Sequence, residues 1–407
     1  MTATPSLADL TRTPNALAAH YSRFRVSERL LLTGHSHQAW PDVAREGQIE
    51  AWDDAAAHID DKWERAAAIA DRVRAGFARL LGAAPSEVTL GQNTHELVVR
   101  FLSALPLAKR PKLVTTDGEF HSIRRQLDRL AESTSLAIVK VAADPAATLA
   151  ERLIAAADDR TAAVLVSSVL FGNSHLVPGL DRVLAACRRV GAELLVDFYH
   201  HVNVVPCDLS QSGLGEAFAV GGGYKYCQLG EGNCFLRVPP GRTDLAPVVT
   251  GWFAEFGHLA TRPDGRVRWG EGPARWAGST YDPTSHYRAA RVFDFFAAHG
   301  LTPEFLRTVS QHQTGRLAHG FDALDLDPGV IDRDRRVPLD QIGGFLTLTT
   351  TRADAICAAL QARGVATDVR GTWLRLGPAP YLSDDQLDAA LAVLGEVVRE
   401  PEHARHG

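Results

Sequence analysis

The chain has 407 residues, 45% of them hydrophobic and 22% charged, enough apolar material for a large core and far from the composition of a disordered protein. Its formal net charge is 43 − 48 = −5 with the basic residues scattered, so no cationic stripe exists that could follow the phosphates of a nucleic acid. Five cysteines (Cys187, Cys207, Cys227, Cys234, Cys357) form an odd set without a Cys-x-x-Cys pair, which argues against a disulfide framework and against a structural zinc site. No window approaches roughly 18 uninterrupted apolar residues, and the first stretch lacks the basic patch and apolar run of a secretory signal. The expectation is a cytoplasmic protein with reduced thiols and no metal, nucleic-acid or membrane partner.

In chain order, the string from about Asp53 to Leu81 repeats apolar positions at helical spacing, with Gly82 as its end. Short β-branched runs then alternate with amphipathic stretches. KLVTTD (112–117), LAIVKVA (136–142), AAVLVSSVL (162–170) and AELLVDF (192–198) read as strands apolar on both faces. RRQLDRLAES, DPAATLAERLIAAADD and LDRVLAACRRVG read as the helices between them. That alternation predicts an α/β fold, a mostly parallel sheet covered by helices on both faces, whose strand C-terminal ends share one ligand-binding rim. HYRAARVFDFFAAHG (286–300) reads as a connector helix. GGFLTLTT (343–350), ADAICAALQARG (353–364) and WLRLGP (373–378) then suit a small α+β domain. The predicted organisation is an N-terminal segment over 1–50 contributing to the small domain and the active site, a large domain over 51–290 and a small C-terminal domain over 291–407.

Asp197 ends the run AELLVDF at the predicted rim. Its carboxylate there is either a helix N-cap or the partner of a heterocyclic ring nitrogen. Lys225 follows 28 positions (225 − 197) later in GGGYKY, a flexible, aromatic and nearly uncharged setting that suits a buried amine of lowered pKa better than an exposed loop. A lysine for covalent attachment and an aspartate for the ring nitrogen are the two residues that pyridoxal 5'-phosphate chemistry requires.

Taken with its other motifs, the sequence resembles the fold-type I pyridoxal phosphate enzymes of the class V aminotransferase group, and within them kynureninase. The likeness runs in order from about residue 30 to about residue 385. It begins at LLTGHSHQAWP (31–41), where His35 and His37 replace the family's residues. His58 in AHIDDKW falls on a histidine that approaches the substrate's aromatic ring, although a helix-surface histidine reads equally well. GQNTHEL implies a phosphate cradle at a helix start, through Asn93 and Thr94. EFHSIRR implies an aromatic ring stacked on the pyridine, either Phe120 or His121, of which His121 fits the Glu-x-His variant of the group. Ser168 falls near the cofactor's 3′-oxygen, His200 in the family's Asp-x-x-His element, and Tyr224 on a phosphate-binding tyrosine implicated in proton transfer. Trp252 in GWF is similar to the family's glycine-tryptophan-phenylalanine segment, and Thr280 in GSTYDP matches the loop through which one subunit reaches the partner's phosphate; acting across an interface, they imply a homodimer with shared active sites. Arg375 in WLRLGPAPYLS matches the arginine that grips the substrate α-carboxylate; an edge-strand surface arginine is the alternative.

The reaction implied is hydrolytic cleavage of the Cβ–Cγ bond of kynurenine or a related β-acyl amino acid, giving alanine and an acyl acid. A class V aminotransferase or another lyase remains open, as does a non-catalytic binding protein of the same fold. Cysteine desulfurase chemistry is disfavoured, because GVATDVRGTWL (364–374) carries no thiol.

Overall fold

The computed structural model describes residues 4–260 and 265–400; residues 1–3 and 401–407 of the expected terminal segments lie outside the described residues. After a one-turn helix at Leu7–Thr11, the first long helices are α1 (Val43–His58) and α2 (Lys62–Leu81). The single helical pattern expected from Asp53 to Leu81 is therefore broken. At Ile59 the backbone turns to φ 30°, and α2 restarts after Asp61, where His58-Ile59-Asp60-Asp61 offers no apolar stripe to carry the helix on. Helix α1 also carries the chain without interruption across the expected boundary at residue 50.

The large sheet consists of β1 (Val88–Gly91), β2 (Lys112–Thr116), β3 (Ala137–Val141), β4 (Thr161–Ser167), β5 (Glu193–Asp197), β6 (Phe218–Gly222) and β7 (Cys234–Arg237). Their spatial order is β1-β7-β6-β5-β4-β2-β3. All neighbours pair in parallel except β7, which is antiparallel to β1 and to β6. Helices α3 (Thr94–Ala104), α4 (His121–Ser133), α5 (Leu149–Ala156) and α6 (Leu180–Val190) connect and cover it. This is the mostly parallel α/β architecture the alternation predicts, and its seven strands are those that the resemblance to fold type I implies; β1, β6 and β7 lie outside the strands that the alternation predicts. Strand β4 is buried at every position, as a central strand must be. By contrast β3, read as apolar on both faces, is the sheet's edge and is only partly covered.

Helix α7 (Thr284–Ala298) runs past residue 290 and crosses α1 closely: a Cβ built on Gly47 would lie 2.5 Å from the Tyr287 carbonyl oxygen. Beyond it come α8 (Pro303–Ala323), the strands β8 (Asp332–Arg333) and β9 (Leu346–Thr349), α9 (Ala353–Ala362), β10 (Asp368–Arg370), β11 (Trp373–Leu376) and α10 (Asp384–Arg399). The four strands form an antiparallel sheet in the order β10-β11-β9-β8, a small α+β unit. The N-terminal segment joins it, because Leu30–Leu31 pair in parallel with Val365–Ala366 and Gly34 N–H donates to the Gly377 carbonyl at 2.7 Å. Among the described residues no helix is long and apolar enough to cross a membrane.

Candidate active site

Parallel strands deliver their last residues to one rim, and Asp197 is the last residue of β5, in register with Ser167 of β4 and Val220 of β6. The carboxyl is buried, and its Oδ1 accepts from the Tyr199 backbone N–H at 2.8 Å. Burial pushes it up to about 6, against the opposing pull of the Tyr199 amide and the Lys225 charge.

Strand β6 leads into Lys225 through Gly221-Gly222-Gly223. These glycines read as flexibility in the sequence, but their role is close packing. A Cβ on Gly221 would lie 2.8 Å from the Phe235 ring, on Gly222 2.4 Å from the Tyr199 hydroxyl, and on Gly223 2.4 Å from Leu229. The backbone is thereby pressed against the β5 turn, and Lys225 projects into it. Its Nζ lies 2.6 Å from His200 Nε2 and sits over the rings of Tyr199 (4.9 Å), Phe120 (5.3 Å) and Tyr224 (5.6 Å). Burial lowers the amine to about 7; Asp197 opposes that fall and Arg375 adds to it. The His200 ring is held well below its usual pKa by burial and by the Lys225 charge, so it is neutral. With Nε2 accepting from the amine, its Nδ1 carries the proton and remains buried without a partner.

The expected site residues separate into those gathered here and those that stand apart. Lys225, Tyr224, Asp197, His200 and Phe120 form the cluster, and Phe120 rather than His121 faces the amine; His121 begins α4. Ser168 is buried beside Asp197, its Oγ donating to the Asp197 carbonyl at 3.1 Å. Asn93 caps α3 by accepting from Glu96 N–H at 2.9 Å, and Thr94 points its hydroxyl at Cys234 Sγ, which in turn lies 3.8 Å from the Tyr199 hydroxyl. Trp252 and Thr280 stand apart. Trp252 Nε1 donates to Thr280 Oγ1 at 3.0 Å, and both line a cavity of about 1150 Å³ with Trp63, Phe253 and Tyr281 that none of the Lys225 cluster reaches. His58 is exposed at the end of α1.

Arg375 is only 2% exposed and lies on β11 between β10 and β9, which excludes a surface edge-strand role. Its fork is already engaged: Nε and NH2 donate to Asp368 Oδ1 and Oδ2 at 2.7 and 2.6 Å, and NH1 donates to the Phe171 carbonyl at 2.6 Å. Asp368 also accepts from Ser36 Oγ at 2.6 Å and pairs with His35 Nε2 at 2.8 Å. Burial raises the Asp368 carboxyl, but the hydrogen bonds from His35 and Arg375 outweigh it and hold the group well below the usual carboxylate range. Burial lowers His35 to about 4. Sequence reasoning missed Asp368 and also Glu119, a buried carboxyl pushed up to about 7 by burial despite accepting from Ser167 Oγ at 2.6 Å and Thr116 Oγ1 at 2.7 Å. The available signal for Asp368 was its register, directly opposite Arg375 across an antiparallel pair.

The residues fit pyridoxal 5'-phosphate. A buried amine with no carboxylate hydrogen-bonded to it, a buried carboxylate on the adjacent strand, an aromatic ring over the amine and an unpartnered imidazole N–H are what a covalently held, ring-protonated, anionic heterocycle would satisfy.

The aminotransferase class-V family model matches residues 53–227, a span that includes Asn93 through Lys225. A kynureninase of Xanthomonas euvesicatoria pv. vesicatoria is 30% identical over 208 residues, 47% of this chain and 48% of that protein, so the match spans about half the length of that relative. A kynureninase of Geobacillus thermodenitrificans is 24% identical over 362 residues, 83% of this chain and 80% of that one. Among solved structures, a C-DES mutant with glycine covalently linked to the PLP-cofactor aligns with a TM-score of 0.80 at 16% identity, covering 93% of this chain and 98% of that one. The apo structure of a cysteine desulfurase from Thermococcus onnurineus NA1 aligns at 0.79 and 16%, covering 95% and 98%. At such identities these structures speak for the fold alone. Residues 53–227 match the aminotransferase class-V family model, in a chain whose fold is that of the fold-type I pyridoxal phosphate enzymes and whose sequence is similar to kynureninases.

Proposed function

We propose that this protein is a pyridoxal phosphate-dependent hydrolase of the kynureninase type, cleaving the Cβ–Cγ bond of kynurenine or a related β-acyl amino acid. The observation that carries the reading is the Lys225 amine, buried among three aromatic rings and next to the Asp197 strand end, with a pKa near neutrality. When bound, the protonated pyridine ring withdraws electrons from the bonds at the substrate's Cα. Asp197 would keep the ring nitrogen protonated, and Phe120 would be the ring placed to cover it. Of the polar groups expected around the phosphate and the 3′-oxygen, His200 Nδ1 and the Tyr224 hydroxyl would be the donors, whereas the side chains of Asn93, Thr94 and Ser168 would have to turn from Glu96, Cys234 and the Asp197 carbonyl. Lys225 would be the residue that holds the group covalently, and its amine, near neutrality, would move the proton at the substrate's Cα. Water would supply the oxygen of the acyl acid released on Cβ–Cγ cleavage, and Tyr224 would return a proton to Cβ to give alanine.

Trp252 and Thr280 line a cavity that the Lys225 cluster of their own chain does not reach, and His58 is exposed; this placement supports a homodimer in which they complete the partner's site. Cytoplasmic residence goes with this reading. Desulfuration is not favoured, because the Cys357 thiol is bonded into the small domain, donating to the Thr367 carbonyl.

The test is incubation of the pyridoxal phosphate-loaded protein with L-kynurenine in the absence of any oxo acid. Anthranilate and alanine in equal amounts are expected. Product that forms only when an oxo acid is added would instead mean transamination.

A further inference from the structure

Strand β2 is followed in the chain by β3, its neighbour on one side, and β4 by β5, its neighbour on the other. Strands β2 and β4 are themselves adjacent, and their paired register ends at Val114 and Val164, so the two part before Thr116 and Ser167. An open α/β sheet binds its ligands above such a parting, outside the carboxyl ends of the strands. One side chain spans the gap. Glu119, in the turn between β2 and α4, is 2% exposed. Its Oε1 accepts from Thr116 Oγ1, on the last residue of β2, at 2.7 Å and from the Ser167 backbone N–H at 3.2 Å. Its Oε2 accepts from Ser167 Oγ, on the last residue of β4, at 2.6 Å.

Both ends of this bridge bear on the Lys225 cluster. Ser167 stands in register with Asp197 on β5. On the other side Phe120 follows Glu119 directly, and its ring lies 5.3 Å from Lys225 Nζ and edge-on to Phe171 at 5.4 Å. Phe120 is the N-cap of α4 and makes no side-chain cap bond, so its placement rests on the turn before it. That turn is knitted by Gly118 N–H donating to Thr116 Oγ1 at 3.2 Å and Ala143 N–H donating to Asp117 Oδ1 at 2.8 Å. A carboxyl is a costly residue here. It meets only neutral donors among the described residues, and burial pushes it up to about 7, with the two hydroxyls opposing and the Asp197 charge adding. An apolar side chain would fill the space without that cost but would bridge nothing.

On the pyridoxal phosphate reading of the site, we propose that Glu119 is a positioning residue for the cofactor ring: it ties the parted ends of β2 and β4 together and so fixes Phe120 and Asp197, the two groups that would hold the ring. The tie needs one oxygen that accepts twice and a second polar atom at Ser167 Oγ. Glutamine supplies both, its oxygen keeping the bonds from Thr116 and the Ser167 amide and its nitrogen donating to a Ser167 hydroxyl whose hydrogen has turned away. Alanine supplies neither, and leaves two buried hydroxyls and an N–H without their partner.

The experiment measures the pyridoxal phosphate dissociation constant, by quenching of tryptophan fluorescence, and the visible circular dichroism of the bound cofactor, which reports how rigidly the ring is held. Glu119→Gln is expected to match wild type in both. Glu119→Ala is expected to weaken cofactor binding roughly tenfold or more and to lose roughly half or more of the circular dichroism per bound cofactor. Gly47→Ala, which loosens the crossing of α1 and α7, is the control for stability and is expected to lower the melting temperature alone. Wild-type affinity and circular dichroism in Glu119→Ala overturn the inference. So does a Glu119→Gln that fails as Glu119→Ala does, because charge rather than the bridge would then matter, and so does an equal loss in Gly47→Ala. Should Glu119→Ala not fold, Thr116→Val removes one bond at similar size, and wild-type values there overturn the inference in its place. All of these outcomes leave the cofactor reading standing, whereas a wild-type protein that takes up no pyridoxal phosphate overturns both.

Discussion

Asp197 and Lys225 show how burial alone tunes a reactive pair. Each is taken out of water with few hydrogen bonds, so each moves toward its neutral form, the carboxyl up to about 6 and the amine down to about 7. An amine attacks a carbonyl carbon only when neutral. Because the Lys225 pKa is lowered, the amine is charged below about pH 7 and neutral above it. The rate at which apoprotein captures pyridoxal phosphate should therefore rise through about pH 7 and level off beyond it, with no capture in Lys225→Ala. Stopped-flow absorbance across pH checks this, and a rate that climbs only near the ordinary lysine range would contradict the burial argument.

At the scale of elements, the site depends on backbones that approach more closely than side chains permit. Helices α1 and α7 cross at Gly47, where an added methyl would lie 2.5 Å from the Tyr287 carbonyl oxygen and 2.8 Å from the Arg288 Cα. The obstacle is the backbone of α7, which cannot rotate away. Gly47→Ala should cost about 1 to 3 kcal/mol by forcing the helices apart, read as a lowered denaturant midpoint, with Ala44→Gly on the same helix as the contrasting change. Wild-type stability in Gly47→Ala would mean the crossing is looser than described. The small domain docks in the same manner, with Gly172 under the Trp373 ring and the Phe171 carbonyl on Arg375.

Two expectations belong to the whole molecule. Val248, Val249, Trp252, Phe256 and Leu259 leave large apolar side chains exposed along the cavity-bearing loops. Under the proposed homodimer this surface would be the interface. Phe256→Asp should shift the protein from dimer to monomer in light scattering and abolish turnover while far-ultraviolet circular dichroism stays unchanged; a wild-type protein that is already monomeric would refute the shared-site reading. The second concerns acid. His35 and His286 are fully buried, and burial lowers them to about 4 and about 3. An unfolded chain takes these protons near pH 6.5 and the folded one does not, so stability is full above about 6.5 and is lost as pH falls toward 4, on the order of 3 kcal/mol for each ring. Melting temperature should fall across that window, less steeply in His35→Asn. A midpoint constant from pH 7 to 5 would refute it.

The order of residues along the chain was enough to determine four of the sheet's strands, β2 to β5, and to point to Asp197 and Lys225. Doubly buried parallel strands must be apolar runs, and a lone acid at the end of one, followed by a lysine among aromatic residues and glycines, is conspicuous against them. Where the sequence misled, it was because helical spacing carries no information about a turn such as that at Ile59, and because glycine reads alike whether it frees the backbone or lets two backbones touch. Only the tertiary structure decided that Phe120 and not His121 faces the amine, that Trp252 and Thr280 line a cavity the Lys225 cluster does not reach, that His58 is exposed at the end of α1, and that Asp368 occupies Arg375. Each of those depends on which residues stand opposite one another across strands or loops distant in the chain, and such pairing is set by packing in three dimensions rather than by any local pattern.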